Sequence, residues 1–165
     1  MTELNYVTKG ISLPSGKPKV FLCCHPEDQQ IYFEKIIDDI LRICNCTIWY
    51  SKKTDSNYTS EISDYIKEMK FVVILVTQNL LCKPNEILKI EFETAYNNRI
   101  PILPIVLEDG VEELFNKQYK NLHFLRAYIN NKIYLESLKS YLSTLFDFSA
   151  SENIFSAFEG MIFMN

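Results

Sequence analysis

The sequence predicts one α/β domain, a doubly wound parallel sheet covered by helices. Three observations lead there. Short runs at 20–24, 46–50, 71–76 and 101–106 are almost continuously apolar, as strands covered on both faces are. The stretches between them carry apolar residues at helical spacing. Strand and helix then alternate along the chain, which implies right-handed crossovers and parallel strands.

Residues 1–18 read as an N-terminal extension, a loosely held lead-in. Glu3, Lys9, Lys17 and two prolines make it neither a signal peptide nor an anchor. Val20-Phe21-Leu22-Cys23-Cys24 is the first strand, and His25-Pro26-Glu27-Asp28 breaks it. Pro26 can open a helix, and the two acids suit a helix N-terminus. Phe33, Ile36, Ile37, Ile40, Leu41 and Cys44 then form one buried helical stripe. Cys46-Thr47-Ile48-Trp49-Tyr50 is the second strand. Ser51 to Ser60 is polar and aperiodic, longer than an ordinary strand-to-helix connection and so a functional candidate.

Glu61 to Lys70 reads as a short helix, and Phe71 to Val76 as the third and most apolar strand, central in the sheet. Pro84 to Asn98 is a helix with proline near its first turn. Pro101 to Leu107 is the fourth strand, and Glu108-Asp109-Gly110 the acidic turn after it. Val111 to Lys117 is a helical turn or two, and Leu122 to Tyr128 a short fifth strand. Ile133, Leu135, Leu138, Tyr141, Leu142 and Leu145 suit a final helix. The four principal strands are expected in the order 2-1-3-4, with the fifth at the edge beside the fourth.

Composition bounds the function. With 47% apolar and 13% aromatic residues the chain is globular. The net charge of -4 is spread without a basic block, against a nucleic-acid surface. Lys52, Lys53, Lys67 and Lys70 are the nearest approach to a patch, and read as a solvated face. No apolar run reaches the ~20 residues that span a bilayer. The five cysteines are odd in number, and Cys23 and Cys24 lie within a strand, so disulfides are not expected and a reducing cytoplasm is. Cys44-Asn45-Cys46 has no nearby histidine or second cysteine pair, and reads as a helix-to-strand junction rather than a metal site.

Ligands of such sheets bind beyond the carboxyl ends of the strands, here Cys24 to Asp28, Ser51 to Ser60 and Thr77 to Asn85. Four glycines and no Gly-rich fingerprint exclude a phosphate-cradling loop. No nucleophile elbow is present. Cys24 and His25 are adjacent and would diverge, so they make a poor nucleophile pair. Glu91 stands apart. It lies on the apolar stripe that continues to Thr94 and Ala95, so it faces the domain, whereas Glu86 sits in the first turn and Glu93 on another face. A semi-buried carboxylate on such a stripe is either paired with a Lys or Arg or functional.

Four pieces, in order, carry a family resemblance. Val20-Phe21-Leu22-Cys23-Cys24-His25-Pro26-Glu27-Asp28 resembles the first strand and loop of Toll/interleukin-1 receptor (TIR) domains, V-F-I-S-Y-S-x-x-D. Ile48-Trp49-Tyr50-Ser51 is similar to the bacterial W-Y-D motif. Phe71 to Thr77 with Asn79-Leu80-Leu81 resembles the third strand and its turn. Ile90-Glu91-Phe92 followed by Ile102-Leu103-Pro104-Ile105 resembles the catalytic helix and the strand ending L-P-I. The resemblance spans about 18–146, within a domain bounded at 19–147. It is closest to the first TIR domain of bacterial tandem-TIR proteins. Phe155 to Phe163, in the segment 148–165, resembles a linker into a following domain.

The resemblance implies a flavodoxin-like fold and one of two functions. Many TIR domains cleave NAD between nicotinamide and ribose, through an oxocarbenium-like state, when self-assembled in antiphage defence. The family's glutamate maps to Glu91 as the catalytic residue, with Cys24, His25, Trp49, Ser51 and Lys53 as substrate-binding residues. NAD is then substrate, with no other cofactor or metal. Other TIR domains are the partners, without nucleic acid or membrane. The alternative is a non-catalytic adaptor that works through TIR–TIR contacts of the 51–60 loop, where Lys52, Lys53 and Tyr58 would reach a partner. Three departures bear on the choice: Ile87 replaces an aromatic, Ser51 an aspartate and Cys24 a tyrosine.

Overall fold

The computed structural model describes residues 4–8, 18–51, 63–83, 86–119 and 122–147. Its sheet contains β1 (Leu4–Thr8), β2 (Lys19–Cys23), β3 (Thr47–Ser51), β4 (Phe71–Val76), β5 (Ile102–Val106) and β6 (Leu125–Arg126). The spatial order is β1-β3-β2-β4-β5-β6. Strands β2 to β6 are parallel, with Phe21 beside both Trp49 and Val72, and Ile74 beside Pro104. The expected order of four parallel strands, with a short fifth next to the fourth, is the order observed.

β4 is buried at every position because it is central in the sheet and covered on both faces. Its alternate residues feed two separate cores. Val73 and Leu75, with Val20 and Leu22, meet Ile36, Ile37 and Ile40 of α1 (Glu34–Ile43) and Tyr134, Leu138 and Leu142 of α5 (Asn131–Asp147). Val72 and Ile74, with Phe21 and Cys23, meet the opposite layer. That layer comprises a helical turn at 63–66, α2 (Gln78–Cys82), α3 (Glu86–Asn97) and α4 (Glu112–Tyr119). Each fully buried Ile, Leu or Phe contributes about 1.5–3 kcal/mol, so both faces of the sheet are held by apolar burial.

Three local features differ from the sequence expectation. The N-terminal extension is not merely a lead-in: Leu4–Thr8 pairs antiparallel with β3, Tyr6 opposite Trp49. An edge strand needs only one partner, and Tyr6, Val7 and Thr8 are residue types that favour strands. The break after β2 is also not a simple helix start. Pro26–Asp28 is a 3-10 turn, Gln29–Phe33 a π-helical turn, and only from Glu34 is the helix α-helical. α2 was not foreseen; Thr77 caps it, its Oγ1 accepting from the Leu80 N–H at 3.1 Å.

Candidate functional site

The site is built where β2 and β4 end. Asp28, only 1% exposed, is held from two sides. The buried Thr77 hydroxyl donates to its Oδ2 at 2.5 Å, and Asn79 Nδ2 donates to its Oδ1 at 2.8 Å. Thr77 follows β4 directly, so this carboxylate ties the turn after β2 to the turn after β4. A second carboxylate extends the rim. Glu108, beyond β5, accepts from the Gln78 N–H at 2.7 Å and from the Tyr32 hydroxyl at 3.1 Å. Burial, then the Glu108 charge and that hydrogen bond, raise the Tyr32 hydroxyl above its ordinary value.

His25 is buried and caps the 3-10 turn, its Nδ1 accepting from the Glu27 N–H at 3.2 Å. Lys83 grips Glu27 across the same rim at 2.8 and 2.9 Å. The Lys83 hydrogen bond lowers the Glu27 pKa despite opposing desolvation. The Cys24 thiol donates to the His25 carbonyl at 3.4 Å. Burial, followed by the negative charges of Asp28 and Glu91, pushes the Cys24 pKa up. It stays a thiol at neutral pH and is no nucleophile.

Glu91 is 2% exposed. It rides on α3, which packs against β2, and its carboxylate bears on the Cys23 thiol. Burial foremost, then the Glu91 charge, raise the Cys23 pKa well above its usual value. Cys23 therefore remains a protonated thiol. Because strand side chains alternate, Cys23 shares the α3 face with Phe21 and half-buried Trp49, whereas Cys24 belongs to the α1 side. The Trp49 indole N–H donates to Thr47 Oγ1 at 3.0 Å, and Lys19 Nζ stands 5.5 Å from its ring centre.

The structure thus brings Glu91, Cys23 and Trp49 to one face and sets His25 and Cys24 at the adjoining strand end. Ser51 closes β3. Lys52, Lys53 and Tyr58, with the rest of the 52–60 loop, lie outside the described residues. Cys23 is the residue that sequence reasoning passed over. The signal was present, since it stands two positions after Phe21 on the strand facing α3. Glu93 is exposed, as its helical position implied. Among the described residues no group of three or more His, Cys, Asp or Glu side chains is arranged to hold a metal. None of the described helices is long and apolar enough to cross a membrane.

No curated protein matches the chain. The family model for the TIR domain matches residues 20–133, from the first residues of β2 into α5, most of the chain and all of the site. Parallel sheet, strand order and sequence match agree: the chain belongs to the TIR domain family.

Proposed function

We propose that this domain cleaves NAD at the nicotinamide–ribose bond, yielding ADP-ribose or a cyclic isomer, when copies self-assemble in antiphage defence. The observation that carries the reading is Glu91, a carboxylate 2% exposed at the α3–β2 contact, beside the Cys23 thiol. Burying a carboxylate is costly, and functional sites are where such a cost is commonly borne. In the reaction the bond from ribose C1′ to the pyridinium nitrogen breaks, and its electron pair leaves with nicotinamide, which becomes neutral. The ribose ring acquires oxocarbenium character, and water or an internal nucleophile of ADP-ribose then attacks C1′. Glu91 would hold the ribose hydroxyls and stabilise the positive charge. A preorganised carboxylate in a dry setting does this far better than one in water.

The second reading, a non-catalytic adaptor acting through TIR–TIR contacts, draws on the same burial. A carboxylate nearly excluded from solvent reaches a ligand only if α3 and β2 separate. Ser51, Ile87 and Cys24 also replace the family's polar and aromatic residues. NAD consumption measured from dilute to crowded protein distinguishes the two. The enzyme releases nicotinamide with a rate per chain that climbs as copies assemble; the adaptor assembles without consuming NAD.

A further inference from the structure

The junction between α1 and β3 carries chemistry that the site at the strand ends does not use. Cys44 caps α1 with extended backbone, and Cys46 immediately precedes β3. Their sulfurs lie 3.3 Å apart and are hydrogen-bonded. We propose that Cys44 and Cys46 form a redox-active dithiol, which small-molecule disulfides oxidise to an intramolecular disulfide.

Among the five cysteines only this pair combines sulfur contact with access to one member. Cys23, Cys24 and Cys46 are buried, Cys82 is exposed, and Cys44 is half-buried. The hydrogen bond with Cys46 lowers the Cys44 pKa, against the desolvation that would raise it. Cys44 is therefore the nucleophile and Cys46 the resolving thiol. Residues two apart in extended chain are separated by about 7 Å at most, near the limit of about 6.8 Å for bridged Cα atoms. The exposed Asn45 between them can take up the adjustment. The resulting ring is strained, and strained disulfides are the labile, responsive ones.

In the first step the Cys44 thiolate attacks one sulfur of a disulfide such as glutathione disulfide. The reagent's S–S bond breaks, one thiolate leaves, and Cys44 carries a mixed disulfide. The Cys46 thiolate then attacks the Cys44 sulfur and expels the second thiol. The protein loses two electrons and two protons, and the reagent gains them as two thiols. Since Cys46 leads into β3, which runs through Trp49 to Ser51, oxidation would be felt along that strand.

The test uses folded protein carrying Cys82→Ser, which removes the exposed competitor, reduced and desalted before incubation with glutathione disulfide. Intact mass and peptide mapping should show a chain lighter by two hydrogens, with both thiols of the pair lost and Cys44 linked to Cys46. Adding Cys46→Ser should trap one glutathionyl group on Cys44. A chain that keeps both thiols at saturating glutathione disulfide overturns the proposal. So does a mixed disulfide on Cys44 that Cys46 never displaces.

Discussion

Asp28 is the hinge pin of the site, and its removal is the sharpest test of how the strand ends are held. Asp28→Ala deletes both hydrogen bonds and leaves the fully buried Thr77 hydroxyl without its acceptor. Hydrogen bonds to charged groups are worth about 1.5–3 kcal/mol each, and an orphaned buried donor costs about 1–3 kcal/mol. Relief of the buried charge offsets part of this, and the half-exposed Asn79 can turn to water. A loss of about 2–3 kcal/mol remains. Asp28→Asn should lose only about 1 kcal/mol, because its oxygen can still accept from the buried Thr77 hydroxyl while its amide donates to the half-exposed Asn79, whose side chain can turn its oxygen inward. Urea unfolding followed by the single tryptophan, Trp49, reads both. With a slope near 2 kcal/mol/M, the midpoint should fall by about 1–1.5 M for alanine and about 0.5 M for asparagine. Alanine within about 0.5 kcal/mol of the parent, or asparagine as damaging as alanine, would refute the reasoning.

Three further outcomes follow from the same geometry. Arg99 ends α3 at φ 56 in a Schellman arrangement, with Ile100 N–H to the Ala95 carbonyl at 3.0 Å and Arg99 N–H to the Tyr96 carbonyl at 3.2 Å; Arg99→Gly should add about 0.5–1 kcal/mol in the same unfolding assay. The Tyr134 hydroxyl is buried with no hydrogen-bond partner among the described residues, so Tyr134→Phe should equal or exceed the parent, by about 1 kcal/mol at most; a clear loss in thermal unfolding would reveal a partner. Burial raises the Glu112 pKa, but hydrogen bonds from Tyr128, its own backbone and Arg126 outweigh it, leaving the folded value below the ordinary 4.5. A depressed carboxylate stabilises above its unfolded pKa and loses that contribution as pH falls through the folded one. The stability gap between parent and Glu112→Gln should therefore be full above 4.5 and close below it in unfolding curves taken across pH.

The fold was legible because each strand covered on both faces announces itself as an apolar run, and because helical stripes separate those runs. β4 is the extreme case, and its centrality could be read from Phe71 to Val76 directly. β1 was not legible: five residues with a single pairing partner leave little pattern. The π-helical turn at 29–33 was equally hidden, since its residues suit an α-helix and only Asp28, fixed by Thr77 and Asn79 from a distant strand, marks the place. Glu91 was legible from helical phase alone. Cys23, beside it, was obscured by its own neighbour: Cys24 stood at the family's tyrosine position and drew attention, although strand alternation turns it toward the other face.

Everything proposed for the site converges on the Glu91 carboxylate. Nicotinamide release from NAD, followed in concentrated and crowded solutions of the parent and of Glu91→Gln, tests it most directly. The account predicts turnover by the parent that rises per chain with concentration, and a rate about 10²–10³ lower for Glu91→Gln with an unchanged unfolding midpoint. A Glu91→Gln chain that consumes NAD as fast as the parent would contradict it, and a folded parent that assembles yet releases no nicotinamide would hand the domain to the adaptor reading.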